Sequence, residues 1–170
     1  MPVLFSKTGE YALKASIYLA REQSGKYVSL TDISEALNIP YHFLSKVLQQ
    51  LAKNKIVSSQ RGTNGGFRLS KPPSEINLLE IIYAIDGKEV FDDCVLGFPV
   101  CNKDNPCPLH SAWEKAKESF LESLRRDALN NVSHQLDLKL KNIKRDFEQI
   151  SFRDFSSMNQ TQEKSILTNN

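Results

Sequence analysis

The chain has 170 residues, a formal net charge of +2 and 40% hydrophobic residues, which is typical of a globular protein of one domain with an appendage. No apolar run approaches the roughly 20 residues that span a bilayer, so we expect no membrane association. Lys7 and Glu10 occupy the place of a secretory apolar core, and we therefore expect a cytoplasmic protein with reduced thiols. Residues 1–76 hold ten basic and five acidic side chains, whereas residues 77–170 hold 12 and 15. A basic first half favours a polyanionic partner.

Three helices are predicted in the first third of the chain. They cover about residues 7–22, 31–37 and 40–53, and Ser29 or Thr31 can cap the second. A short helix, a tight turn and a longer helix predict a helix-turn-helix, although a plain helical hairpin has the same pattern. The third helix has one polar face, which we interpret as a surface for contacting DNA bases: Tyr41, His42, Ser45, Lys46 and Gln49.

A β-hairpin is predicted directly after the third helix. Residues 56–60 and 67–69 read as strands, and Asn64-Gly65 is a strong hairpin signal between them. A hairpin in this place is the wing of a winged helix, and its glycine-rich, arginine-bearing tip suits a narrow minor groove. A solvated hairpin with incidental arginines is the alternative. The predicted DNA contacts of the wing are Arg61, Gly65, Gly66 and Arg68. Residues 1–76 are thus predicted to form a winged helix-turn-helix domain in a mainly α fold.

Residues 77–130 are predicted to hold a fourth helix at about 78–86, a loop at 91–110 and a long fifth helix at about 111–130. The apolar stripe of the fifth helix needs a cover, and a partner subunit is one solution, since DNA-binding helix-turn-helix proteins generally dimerise. Packing against its own domain is the other. The predicted dimerisation residues are Trp113, Phe120 and Leu124. A heptad stripe predicts a C-terminal helix over 131–155 that adds to the dimer contact or folds back on the fifth helix, and the polar residues 156–170 are predicted to be disordered.

All three cysteines of the chain lie in the predicted loop, as Cys94-x₆-Cys101-x₅-Cys107, and His110 follows. Thiolates and imidazole are ligands that iron–sulfur clusters and zinc prefer. The gaps are wider than in most zinc sites, which favours a 2Fe–2S or 4Fe–4S cluster over zinc. Three unrelated buried thiols, and His110 as an ordinary polar residue that opens the fifth helix, are the alternatives. An enzyme is not expected, because no histidine–acid arrangement surrounds a thiol and the proline-rich loop offers no evident oxyanion hole.

Three motifs and the cysteine loop carry a resemblance to a known family: Lys7-x₃-Tyr11-Ala12-Leu13, Leu44-x₂-Val47-Leu48-x₂-Leu51 and Ile56-Val57-Ser58-Ser59-Gln60-Arg61-Gly62-x₂-Gly65-Gly66-Phe67-x-Leu69. Over about residues 3–130 the chain resembles the bacterial Rrf-type winged-helix regulators, which are IscR- and NsrR-like. The resemblance implies a homodimer that reads a partly palindromic operator in double-stranded DNA. It places residues 40–53 in the major groove and Arg61 near the minor groove.

The resemblance also implies a cluster ligand set of Cys94, Cys101 and Cys107, with His110 or a carboxylate such as Glu10 of the partner subunit as the fourth ligand. The predicted function is a transcription regulator, expected to be a repressor, whose cluster senses redox state, nitric oxide or iron status. A 2Fe–2S cluster is favoured and 4Fe–4S is the alternative. The second hypothesis is a zinc- or thiol-based redox switch on the same scaffold.

Three departures from the family pattern limit what can be transferred. The first cysteine gap is x₆ where IscR-type members have x₅, so cluster type is not carried over. Ser45 replaces a glutamate that helps choose among DNA sites. Lys55 stands where glycine is common after the third helix, and Asn54 is expected to adopt the left-handed conformation instead.

Overall fold

A computed structural model describes residues 5–22 and 25–135. The chain divides into two compact units, residues 1–133 and 134–170, and the architecture below belongs to the first. Its elements are α1 (Lys7–Arg21), α2 (Leu30–Leu37), α3 (Tyr41–Lys53), β1 (Val57–Gln60), β2 (Gly66–Leu69), a 3₁₀ helix (Pro73–Glu75), α4 (Leu78–Asp86), a second 3₁₀ helix (Lys88–Phe91) and α5 (His110–Arg126). The predicted mainly α winged helix-turn-helix is confirmed. In the described part of the chain, no helix is long and apolar enough to cross a membrane.

Side-chain caps explain where the helices start. The Ser29 hydroxyl accepts a hydrogen bond from the backbone N–H of Asp32 at 3.1 Å, so α2 begins at Leu30. The side-chain oxygen Oδ1 of Asn77 accepts from the N–H of Glu80 at 2.9 Å in the same way. Each cap satisfies an N–H that the first helical turn leaves without a partner. Ser29 is one of the two caps that the sequence predicts for α2, and α4 begins where the sequence predicts it.

Left-handed residues end α2 and α3. Asn38 follows α2 with a φ of 51° and opens the turn of the helix-turn-helix. After α3, Lys55 has a φ of 60° whereas Asn54 has a φ of −88°. The expectation that Asn54 takes the left-handed conformation is therefore wrong. Its side-chain amide is instead used to cap carbonyls, with a hydrogen bond to the oxygen of Gln50 at 2.9 Å.

Two apolar cores hold the unit together. The larger core joins α1, α2, α3, the first strand and α4, and its fully buried side chains include Ile33, Leu44, Leu48 and Ile81. The smaller core joins α4, the second 3₁₀ helix and α5 through Leu79, Ile82, Phe91 and Leu124. Helix α4 therefore has one face in each core, and it connects the helix-turn-helix to the segment that carries the cysteines.

The fifth helix is shorter than predicted. It ends at Arg126, because Ala128 forms an isolated antiparallel bridge with Asn77 and the N–H of Leu129 donates to the oxygen of Ile76 at 2.8 Å. These backbone contacts close residues 77–128 into a loop whose two ends meet. Helical structure resumes at residue 129. The predicted C-terminal helix from residue 136 on, and the predicted tail at 156–170, lie outside the described residues.

The wing is attached to the rest of the domain by backbone hydrogen bonds. Its strands are antiparallel, with Ser59 opposite Phe67. The N–H of Val28 donates to the oxygen of Phe67 at 2.9 Å, and the N–H of Phe67 donates back at 2.8 Å. Gly66 has a φ of +148°, and a Cβ there would lie 2.1 Å from the Val28 oxygen. The close approach that this glycine permits is therefore to the chain's own backbone.

Candidate functional site

The three cysteine thiols meet at one place. Their sulfur atoms all lie within 4.8 Å of one another, and the Sγ atoms of Cys94 and Cys107 are 3.6 Å apart. The Sγ of Cys101 lies 3.3 Å from Nδ1 of His110. All four predicted metal ligands are thus brought together by one segment, although the sequence separates them by up to 16 positions.

Local turns in the cysteine segment produce this convergence. The N–H of Gly97 donates to the oxygen of Cys94 at 2.8 Å, and Gly97 takes a φ of 72° that suits glycine. Further along, the side-chain oxygen of Asn102 accepts from the N–H groups of Asp104 and Asn105 at 3.0 and 2.8 Å. Asparagine is common in such turns because its side chain replaces a backbone acceptor. The two turns reverse the chain on either side of Cys101.

The amino end of α5 carries His110, the predicted fourth ligand, and provides a favourable electrostatic field. The N–H of His110 donates to the oxygen of Cys107 at 3.0 Å, and His110 is the first residue of the helix. A helix amino terminus carries a partial positive charge that stabilises nearby anions. Thiolates at this position are therefore favoured by the helix as well as by any cation they bind.

The thiols of Cys94 and Cys101 differ in pKa because their hydrogen bonds differ. Burial raises the pKa of Cys94, but the backbone N–H groups of Phe98 and Leu96 and the two other thiols stabilise its thiolate, so its pKa is lowered overall. The backbone N–H of Cys107 lowers the pKa of Cys101. Burial and the thiol contacts with Cys107 and Cys94 act in the opposite direction, and that pKa is raised overall. Cys94 is thus the more acidic of these two thiols.

Residues around the thiols were missed by the sequence analysis. Nε2 of His110 is buried and, within the described part of the chain, makes no hydrogen bond. The nearest carboxylate oxygen belongs to Glu114, 3.7 Å away and one turn later in α5. The i, i+4 spacing of the two residues could have revealed this pair. The thiols line a cavity of about 280 Å³ that is also lined by Asp92, Asp93, Asn102, Lys103, Trp113, Glu114 and Lys117.

The predicted dimerisation residues all contact their own chain. Nε1 of Trp113 donates to the oxygen of Asp93 at 3.2 Å, beside Cys94. Leu124 is only 7% exposed within a single chain, and the Phe120 ring packs edge-on against Phe91. These three residues hold α5 and the cysteine segment in place. The exposed large apolar side chains of this region lie on the cysteine segment itself: Val95, Leu96, Phe98, Val100 and Leu109.

The predicted DNA-contacting face of α3 is accessible. Tyr41 is 55% exposed, and the side chains of His42, Lys46 and Gln49 are exposed as well. Ser45 is half-buried, and its hydroxyl accepts from Nε2 of Gln49 at 3.2 Å. The sequence analysis did not include Phe43, which is 50% exposed beside His42 in the first turn of the helix.

The two arginines of the wing have different surroundings. Arg61 is exposed in the turn between the strands. Nη1 of Arg68 donates to the oxygen of Gly25 at 3.1 Å, and its guanidinium lies 4.7 Å from the centroid of the Tyr27 ring. Arg68 is thus turned toward the body of the domain. Of the two, Arg61 is the side chain that the wing presents at its tip.

The alternative fourth ligand, Glu10, is engaged by two lysines. Its carboxylate oxygens lie 2.7 Å from Nζ of Lys7 and 2.6 Å from Nζ of Lys14. The hydrogen bond from Lys14, followed by that from Lys7, lowers the pKa of Glu10 to about 2. His110 already stands among the thiols, so within one chain it is the better candidate.

The donor set fits a metal centre. Three sulfur atoms and one imidazole nitrogen converge, and a buried ring nitrogen of the same histidine faces a carboxylate. Histidines that bind a metal generally donate their second ring N–H to a carboxylate or carbonyl. The same ligands suit iron–sulfur clusters and zinc, so the donor chemistry does not choose between them.

Comparison with known proteins identifies the family. The model of the Rrf2 family, described as an iron-dependent transcriptional regulator, matches residues 5–135. Over 133 residues the chain is 34% identical to the HTH-type transcriptional regulator IscR of Photorhabdus laumondii, covering 76% of this chain and 80% of that protein. The structure of T. potens IscR matches with a TM-score of 0.63 and 26% identity, covering 80% of this chain and 88% of the other.

The fold has a further solved counterpart in CymR, the global cysteine regulator of B. subtilis. It matches with a TM-score of 0.65 at 24% identity, covering 79% of this chain and 98% of CymR. At this identity the likeness concerns the fold alone. The family match over residues 5–135 and the 34% identity to an IscR show that the chain belongs to the Rrf2 family of DNA-binding transcriptional regulators.

Proposed function

We propose that this protein is a cytoplasmic homodimeric repressor whose affinity for a partly palindromic operator is set by an iron–sulfur cluster. Cys94, Cys101, Cys107 and His110 would hold the cluster, and 2Fe–2S is the favoured type, with 4Fe–4S as the alternative. The observation that carries the proposal is the convergence of three sulfur atoms within 4.8 Å, with an imidazole nitrogen 3.3 Å from one of them. Bound there, the cluster would supply sensitivity to redox state, nitric oxide or iron supply.

The chain's own residues would convert that signal into a change of DNA affinity. Few apolar side chains of the cysteine segment are buried. Packing alone therefore contributes little to its order, and metal ligation would supply the remaining free energy. An ordered segment holds α4 and α5 together through the core that contains Phe91 and Leu124. On the DNA side, the exposed face of α3 would enter the major groove and Arg61 would approach the minor groove.

A zinc- or thiol-based switch is the second candidate, and one distance is compatible with it. A tetrahedral zinc ion with Zn–S bonds of about 2.3 Å places its sulfur ligands about 3.8 Å apart. The Sγ atoms of Cys94 and Cys107 are 3.6 Å apart. The compact thiol group therefore suits a single ion as well as a cluster.

The first test is an absorbance spectrum with iron, sulfide and zinc analysis on protein purified without oxygen. Visible absorbance with matching iron and sulfide would support the cluster, and one zinc per chain without colour would support the second candidate. Two variants separate sensing from DNA binding. Cys101→Ala should lose the metal and the metal-dependent change in DNA affinity, whereas Arg61→Ala should weaken operator binding and keep the spectrum. Unchanged metal-dependent DNA binding in Cys101→Ala would contradict the proposal.

A further inference from the structure

The carboxyl end of α4 is the point where the cysteine segment joins the helical core. Helix α4 ends at Asp86, Gly87 follows with a φ of 85°, and the second 3₁₀ helix leads directly toward Cys94. The last carbonyl groups of a helix have no partner within the helix. Two of these carbonyl groups, those of Ala84 and Ile85, accept hydrogen bonds from α3 and its cap.

Two side-chain amides of α3 and its cap occupy these carbonyls. Nε2 of Gln50 donates to the oxygens of Ala84 and Ile85, at 3.1 Å in each case. Nδ2 of Asn54 also donates to the oxygen of Ala84, at 3.2 Å. The partners are 30 to 35 positions apart in the sequence. The helix proposed to read DNA is thus hydrogen-bonded to the last turn before the thiol segment.

The same end of α4 is also held by the cap of α1. The N–H of Ser6 donates to a carboxylate oxygen of Asp86 at 2.9 Å, and the Ser6 hydroxyl also contacts that carboxylate. Ser6 is the cap of α1. The last turn of α4 is therefore held by directional hydrogen bonds to two other helices.

We propose that Gln50 is a positioning residue that couples occupancy of the thiol site to the orientation of α3. The inference rests on the proposed function, because it assumes that the thiol site binds a metal centre. Hydrogen bonds weaken steeply with distance and angle, whereas apolar contacts tolerate sliding. A displacement of the α4 end on metal loss would therefore be passed to α3 through Gln50. Gln49, the next residue, is exposed on the face that would contact DNA and donates within α3 to Ser45.

The adjacent glutamines give a matched pair of variants. The measurement is the affinity of metal-loaded and chelator-stripped full-length protein for a duplex that the wild-type protein selects from a random library. Allosteric coupling between two sites is typically 5- to 150-fold, and we expect the wild-type ratio of the two affinities to fall in that range. Gln50→Ala should lower the ratio toward one with an unchanged metal content, with only the Asn54 hydrogen bond left between α3 and the end of α4. Gln49→Ala should weaken both forms by a similar factor and keep the ratio.

Hydrogen–deuterium exchange supplies a readout that needs no DNA. In the wild type, metal removal should raise amide exchange in residues 49–56 as well as in the thiol segment. In Gln50→Ala the response of residues 49–56 should be clearly smaller than in the wild type, while α4 and the thiol segment respond as before. A Gln50→Glu variant, which keeps the shape and removes the donor, should behave as Gln50→Ala does.

The outcomes separate this inference from the proposed function. A wild-type protein whose residues 49–56 do not respond to metal removal overturns the inference, even if its DNA affinity changes. A Gln50→Ala variant that keeps the wild-type affinity ratio also overturns it, while gating by the metal stands. A protein that carries no metal, or whose DNA affinity is the same with and without metal, overturns the proposed gating itself.

Discussion

Removal of the Glu114 carboxylate tests whether a residue that contacts a proposed ligand also contributes to metal affinity. Oε1 of Glu114 lies 3.7 Å from the buried Nε2 of His110, where a bound metal on Nδ1 would leave a ring N–H to be stabilised. Changes to such outer carboxylates typically cost 10- to 100-fold in metal affinity. The contact is longer than a hydrogen bond, and the Glu114 side chain is 44% exposed. We therefore expect Glu114→Gln to lie at the lower end, with metal affinity weakened about tenfold.

The assay is competition with a chelator of known affinity, with the metal content measured at each chelator concentration. Glu118→Gln is the control, because it removes the same charge one turn later in α5 and does not line the cavity. The control should retain wild-type metal affinity. Equal weakening in both variants would indicate a general charge effect, and wild-type affinity in Glu114→Gln would refute the assigned role of this carboxylate.

Three further predictions concern the scaffold. Leu124→Ala should lower the free energy of unfolding by about 2–5 kcal/mol in a urea titration, because this side chain is buried in its own chain; loss of a dimer without loss of unfolding free energy would contradict that placement. Gly66→Ala should destabilise the domain by about 1–3 kcal/mol and weaken DNA binding, since its Cβ would meet the Val28 oxygen; unchanged thermal unfolding would argue against the strained wing contact. The pKa of Glu10 is lowered to about 2, so its ion pairs stabilise the fold above the ordinary pKa of 4.5 and are lost as the pH falls toward 2. Glu10→Gln should therefore lower the midpoint temperature of unfolding at neutral pH and low salt, but not near pH 2. A difference between the variant and the wild type that persists in acid would refute the role of the ion pairs.

Local signals made much of the fold predictable. The cap at Asn77 and the stop at Gly87 bound α4 where the sequence analysis placed it, because both act within one helical turn. The end of α5 was missed for the opposite reason. Its apolar stripe continues in sequence to Ala128, but pairing of that backbone with Asn77 interrupts the helix.

Long-range contacts explain the rest of what was missed at the candidate site. The four candidate ligands were visible in the sequence, since soft donors cluster there without a packing reason. Gln50 was not, because helical periodicity places it on a polar face and its partners lie 34 and 35 positions later. Gly66 was interpreted as a DNA contact, but glycine is needed there because a Cβ would collide with the backbone oxygen of Val28. In each case the deciding atom belongs to a distant part of the chain.

The bridge between Asn77 and Ala128 holds together the two ends of the part of the chain that carries the thiols. Extra length in such a loop is accommodated at low entropic cost, because the cost of closing a loop rises only slowly with its length. The first cysteine gap, which is one residue longer than in IscR-type members, therefore need not disturb the helix-turn-helix. The thiol segment meets the core at two places, where α4 gives way to the 3₁₀ helix at Lys88–Phe91 and where α5 packs on α4 through Leu124. The architecture thus lets the thiol segment vary in length and chemistry while the packing of α4 against α5 is retained.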